Sequence, residues 1–251
     1  MGRRALSTSL SLDGGAPVQA VIFDWGGTLA EYALVEFEQL WLRAAAHLDP
    51  EREAETAMHL AAVEAAFWER AASGQHSGTL ADILAEATTL LGRDVAEAVR
   101  TEAAGLYLDA WEPHIRHDLD CVPVLRALRD RGLRIGLLSN THWPRDYHER
   151  FLERDGLASL IDARLYTCEM PVMKPHPEAF RAALDALEVA DPASAVFVGD
   201  RPYDDIAGAR GAGLRAVLRR NPAVPGYEVT PDATIDRLPE LLPLVAGWSA
   251  R

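Results

Sequence analysis

Apolar runs of four to six residues recur along this chain, and polar residues close them. Residues 18–23 (Val18, Ala20, Val21, Ile22, Phe23) end at Asp24, and Gly26-Gly27-Thr28 breaks the run. Residues 133–138 end at Ser139, and residues 195–198 end at Gly199-Asp200. Runs this short, bounded by turn residues, predict strands buried on both faces. Weaker runs at 163–166, 214–218 and 233–235 predict three more. Between them the apolar spacing turns helical at 122–130, 145–153, 177–187, 204–210 and 238–245. Strands alternating with helices predict an α/β fold with a parallel sheet covered on both faces.

One long segment breaks that alternation. From 32 to 111 the chain is Ala-rich, with Leu34, Phe37, Leu40 and Trp41, then Leu60, Val63 and Phe67, then Leu80, Ile83 and Leu84 at helical spacing. This predicts an insert of about four helices, with turns near 73–78 and at Gly92. Trp41, Phe67, Trp68 and Trp111 are expected in its core or its seam with the sheet, and Trp25 at that boundary. The acidic positions Glu51, Glu53, Glu55 and Glu64 read as a solvated helix face. The expected division is a flexible leader over 1–16, a core of 17–30 and 113–251, and a helical insert over 31–112.

Composition narrows the partners. The 251 residues carry a formal net charge of −13, which disfavours binding to nucleic acid. No apolar stretch is long enough to span a bilayer. Two cysteines without metal-ligand spacing read as free thiols of a reducing cytoplasm. Positive charge is almost all arginine, a bias expected from GC-rich codons. Lys174 is the single lysine, so its place before Pro175 carries more information than usual.

Ligands of parallel sheets bind at the carboxyl ends of the strands. Asp24, Ser139 and Asp200 each end a strand there and should converge. Asp24 and Asp200 offer the oxygen ligands that Mg²⁺ prefers. Ser139 and Thr28 offer hydroxyls, and Lys174 a positive charge. Asp204 and Asp205 lie at the start of the next helix, where either can support the metal. Such a set suits a phosphoryl group.

Four segments, in order and spacing, resemble the haloacid dehalogenase-like hydrolase superfamily. They are Phe23-Asp24-Trp25-Gly26-Gly27-Thr28-Leu29, Leu138-Ser139-Asn140, Lys174-Pro175, and Val198-Gly199-Asp200 through Asp204-Asp205-Ile206-Ala207-Gly208-Ala209. The resemblance implies a Rossmann-like parallel-sheet core with an inserted α-helical cap, and Mg²⁺-dependent hydrolysis of a small phosphorylated metabolite through an aspartyl intermediate. It implies Asp24 as nucleophile, with Ser139 and Lys174 completing the catalytic set. Asp24, the backbone carbonyl of Gly26, Asp200 and Asp205 (or Asp204) hold the metal. Thr28, Ser139, Asn140 and Lys174 hold the substrate.

One position departs from the pattern. Phosphatases of this superfamily place a second aspartate two residues after the nucleophile, where it protonates the leaving group. Here that residue is Gly26. Substrates with good leaving groups would need little such help, or Glu31 or His142 could stand in, although His142 reads first as a surface loop residue. Superfamily members cleaving C–P bonds through a cap-lysine Schiff base also lack the aspartate, but this chain has no lysine outside Lys174. Two alternatives stay open. One is a non-catalytic phospho-ligand-binding or regulatory protein. The other is a dehalogenase-type hydrolase, a branch that binds no metal, whereas Asp200, Asp204 and Asp205 keep metal-binding character.

Overall fold

The computed structural model describes residues 16–250. Apart from Ala16, the expected leader lies outside the described residues. Among the described residues, six strands form one parallel sheet: β1 (Ala20–Phe23), β2 (Arg134–Ser139), β3 (Ala163–Tyr166), β4 (Ala195–Gly199), β5 (Arg215–Arg219) and β6 (Ala233–Ile235). Their order is β3-β2-β1-β4-β5-β6. This is the doubly wound arrangement, in which the chain reverses direction between β1 and β4 and opens a crevice at their carboxyl ends.

The three central strands are buried almost throughout, as their unbroken apolar runs require. Helices α5 (Cys121–Arg129), α6 (Arg145–Arg154), α7 (Pro177–Ala186), α8 (Gly208–Gly211) and α9 (Leu241–Ser249) connect or follow the strands. Two apolar clusters fill the opposite faces. Val21 and Phe23 of β1 enter one, and Ala20 and Ile22 enter the other, the two-residue period of a strand covered on both sides.

Register levels the strand ends. Phe23 pairs with Leu137 and with Val198, so Ser139 and Asp200 each lie one residue beyond the level of Asp24. The Asp24 amide donates to the Val198 carbonyl at 2.9 Å, which carries the sheet ladder to the start of the crevice.

Four helices occupy the stretch between β1 and β2: α1 (Phe37–Leu48), α2 (Glu53–Gly74), α3 (Leu80–Leu90) and α4 (Glu97–Trp111). Helices α1, α2 and α4 pack together, with Trp41 of α1 stacked on Tyr107 of α4 at 3.8 Å between ring centres. A side-chain cap starts α3, where Thr79 and Asp82 bond each other's backbone amides.

The helix expected at 204–210 begins differently. Pro202–Ala207 forms a π-helical turn before α8, and Ile206 N–H donates five residues back to the Arg201 carbonyl. The wider turn carries Asp205 inward: its side chain is buried, while its Oδ2 accepts from the Arg201 amide at 2.9 Å. Regular propensity does not encode this turn, and such turns recur at functional sites.

Candidate active site

Asp24, Asp200 and Asp205 each offer a carboxylate oxygen, and the three oxygens lie within 4.8 Å of one another. The elements that place them are β1, β4 and the π-helical turn. Lys174 reaches them from the loop before α7. Its Nζ donates to Asp24 Oδ1 at 2.6 Å and to Asp205 Oδ1 at 2.7 Å, and its side chain is 1% exposed. Asp205 rather than Asp204 thus joins the cluster. Asp204 is only half-buried.

Small residues make this convergence possible. A Cβ on Gly27 would sit 2.0 Å from Asp200 Oδ2, and Gly27 has φ +82°. A Cβ on Gly199 would fall 2.3 Å from Asp205 Oδ2. Only residues lacking side chains admit the carboxylates here. Gly26 is different, because a Cβ there meets nothing within 4 Å and the residue lines an open cavity.

The electrostatics call for a cation. Three carboxylates against one ammonium leave two formal negative charges in a buried site. Burial pushes the Asp24 carboxyl up to about 7, with Lys174 opposing and Asp205 and Asp200 adding to the rise. Burial and then Asp205 push Asp200 up to about 6. Burial works against the charge on Lys174, yet Asp205 and Asp24 hold its pKa above the usual lysine value. Asp200 Oδ1 is buried without a hydrogen-bond partner among the described residues. A buried, unpartnered carboxylate oxygen facing two other carboxylates fits a hard divalent cation with oxygen ligands.

The remaining expected residues fall as follows. Ser139 is buried at the end of β2 and lines the cavity. Asn140 also lines it, and its amide clamps the main chain of Lys174, donating to the carbonyl and accepting from the amide, both at 2.9 Å. Thr28 is fully buried, its hydroxyl has no partner among the described residues, and it lies outside the cavity lining. The Thr28 carbonyl accepts from Arg219, which also pairs with Asp118.

The cavity above the carboxylates measures about 230 Å³. Its walls include Trp68 and Trp111 of the helical insert together with Trp25 and Trp143, and Trp111 lies 4.9 Å from Trp143 between ring centres. Trp25 donates to His117 at 3.0 Å. Two sequence expectations are corrected here. His142 is not a surface residue; it is 4% exposed and lines the cavity. Glu64 is not on a solvated face; it is 2% exposed and accepts from Trp41 Nε1 at 2.8 Å and Tyr107 Oη at 2.7 Å. Packing of α1 and α4 onto α2 buries it, and that contact has no local signature. Asn221 also escaped the sequence reading. It donates to Asp200 Oδ2 at 2.7 Å from just beyond β5, and a polar residue following a strand end was the available signal.

A family model described as haloacid dehalogenase-like hydrolase matches residues 18–213. Phosphoserine phosphatase of Thermus thermophilus is 39% identical over 118 residues, covering 47% of this chain and 46% of that protein. Glyceraldehyde 3-phosphate phosphatase of Methanopyrus kandleri is 31% identical over 160 residues, covering 62% and 67%. The chain thus spans about half to two-thirds of the length of these curated relatives. The crystal structure of 2-haloacid dehalogenase from Pseudomonas syringae pv. tomato DC3000 aligns with a TM-score of 0.69 at 26% identity, over 92% of this chain and 99% of that one. Among the described residues no helix is long and apolar enough to cross a membrane.

Proposed function

The chain belongs to the haloacid dehalogenase-like hydrolase family, and we propose that it is a Mg²⁺-dependent hydrolase of a small phosphorylated metabolite, with Asp24 as nucleophile. The observation that carries this reading is the buried cluster of Asp24, Asp200 and Asp205, which keeps two negative charges in excess after Lys174 is counted. Without a cation that excess is relieved by protonation, which the raised pKa values of Asp24 and Asp200 express.

Asp24, Asp200 and Asp205 would hold the ion with the Gly26 carbonyl. When bound, Mg²⁺ supplies charge neutralisation at the phosphoryl oxygens. The Asp24 carboxylate attacks phosphorus, the bond to the leaving oxygen breaks, and water later cleaves the aspartyl phosphate. Lys174 and Ser139 hold phosphoryl oxygens, and Asn140 keeps Lys174 in place through its backbone. Residues 31–112 act as a cap that supplies the aromatic walls and excludes water. No side chain at position 26 delivers a proton to the leaving oxygen. The favoured substrates are therefore those whose leaving groups need little protonation.

A second reading has its own support. Release of halide needs no protonation, so Gly26 would cost nothing in a dehalogenase, and the solved structure at 26% identity is named as one. Asp24 would then attack carbon. Turnover of phosphate esters with Mg²⁺, compared with turnover of 2-haloacids in chelator, separates the two. Asp24→Asn abolishes turnover under either reading. Phosphate release that persists in Asp24→Asn would sink both.

A further inference from the structure

Glu64 and His142 meet in the wall of the cavity and take no part in the chemistry assigned above. His142 Nε2 lies 3.3 Å from Glu64 Oε1, too poorly aligned for a full hydrogen bond. His142 Nδ1 has no partner among the described residues, although it is buried. The two come from different parts of the chain: Glu64 from α2, and His142 from the loop after β2 that also carries Ser139 and Asn140. The Leu80 amide, at the start of α3, donates to the His142 carbonyl at 2.8 Å, which fixes that loop against the insert.

We propose that Glu64 and His142 form the specificity-determining pair of the cavity, and that they bind a neutral hydroxyl on the leaving portion of the substrate. This inference rests on the reading of Asp24 as the phosphoryl end of the same cavity. An unpartnered buried ring nitrogen beside a carboxylate is costly unless a ligand completes it. Trp41 and Tyr107 already saturate much of Glu64, so the atoms of the pair left without a hydrogen-bond partner are the ring nitrogens of His142; Nε2 faces Glu64, and Nδ1 is the position left for a ligand.

The charge of the matching group follows from the surroundings. Burial pushes Glu64 up to about 7, with the Tyr107 and Trp41 hydrogen bonds opposing, and pushes His142 down to about 3. His142 is thus neutral near pH 7, and Glu64 carries only part of a negative charge there. The packed neighbours are Trp41, Tyr107, Phe67, Trp68 and Trp143, none of them ionised near neutral pH. An ammonium or carboxylate on the substrate would lie among aromatic rings with no full countercharge. A hydroxyl both donates and accepts, so it satisfies His142 Nδ1 in either tautomer of the ring.

Calorimetric titration of phosphonates tests this without turnover. Propyl-, 3-hydroxypropyl-, 3-aminopropyl- and 2-carboxyethylphosphonate share a chain length and differ in the terminal group. With Mg²⁺ present, the wild-type protein binds the hydroxyl compound at least about tenfold tighter than each of the others, the worth of about one buried hydrogen bond. His142→Phe fills the same space without a hydrogen-bonding atom and removes the preference over propyl. His142→Asn keeps a donor and an acceptor and retains it. The inference is overturned by a wild-type preference for a charged tail, by equal affinities, by a failure to bind any of the four, by survival of the preference in His142→Phe, or by its loss in His142→Asn. Hydrolysis of p-nitrophenyl phosphate by the same preparations is scored separately. Its absence, with the tail preference intact, would count against the hydrolase reading and leave this one standing.

Discussion

Gly26→Asp puts the missing proton donor to a direct test. The position tolerates it sterically, since a Cβ there has no neighbour within 4 Å and the residue faces the cavity. The new carboxyl would project beside Asp24, where a leaving oxygen departs. General-acid assistance contributes about 10²–10⁴-fold in rate, which is ~3–5 kcal/mol of barrier at 1.4 kcal/mol per factor of ten. That gain should depend on the leaving group. An alkoxide needs the proton, so kcat on alkyl phosphates should rise toward that range. A nitrophenolate leaves unaided, so kcat on p-nitrophenyl phosphate should rise only a few-fold. The added carboxylate also raises the formal excess from two negative charges to three, so metal must be saturating in both proteins. Phosphate release measured across esters of graded leaving-group pKa, at saturating Mg²⁺, gives the slope. An unchanged slope in a folded, Mg²⁺-binding variant would refute the idea that only the acid is missing. A uniform gain across all esters would point to altered metal binding instead.

Other outcomes follow from the same geometry. Lys174→Met leaves three buried carboxylates without a cation, so it should lower metal-free stability by about 3–5 kcal/mol in urea denaturation and abolish turnover. Gly27→Ala forces a Cβ to 2.0 Å from Asp200 Oδ2 at a positive φ, which should cost about 1–3 kcal/mol and weaken Mg²⁺ binding measured by calorimetry. Asp24 and Asp200 have folded-state pKa values raised to about 7 and about 6, above the unfolded value near 4. Between those values the metal-free folded state binds more protons than the unfolded state, so its stability should fall as pH rises from about 4 to about 7. Thermal melts in chelator should show that fall, Mg²⁺ should raise the melting temperature more at pH 7.5 than at pH 5, and a rise in metal-free stability across this window would contradict the assignment.

What the sequence made legible tracks how local each signal is. β1, β2 and β4 are continuous apolar runs because both faces are buried, and their ends could be placed within about two residues. Asp24, Ser139 and Asp200 were legible for the same reason, since a polar residue closing such a run must lie at the sheet edge. The four helices of the insert were countable from their spacing. Their packing was not. Glu64 follows Glu51, Glu53 and Glu55 in sequence, and its partners Trp41 and Tyr107, 23 and 43 residues away, help take it out of water. His142 was misjudged in the same way, because its burial depends on α2, α3 and α4 closing over a loop that reads as polar. The inward aim of Asp205 also lay beyond local rules, because a π-helical turn over Pro202–Ala207 replaces regular α-helix there.

These differences divide the site into two layers with different physical origins. The carboxylate layer is fixed by strand register and by glycines that a Cβ would overfill, so little in it can vary without loss of the cluster. The aromatic layer is fixed by helix packing between segments far apart in the chain, and it tolerates substitution wherever volume and hydrogen bonding are kept. Gly26 belongs to the first layer by position but is unconstrained by packing, since its missing Cβ would meet nothing. Sterics therefore do not explain glycine at position 26, whereas they do explain Gly27 and Gly199. On the proposed hydrolase reading, a position that could hold an acid and holds none means that no proton comes from that side. The same reading then predicts that leaving-group chemistry, rather than the architecture of the carboxylate cluster, distinguishes this chain from superfamily phosphatases carrying an aspartate there.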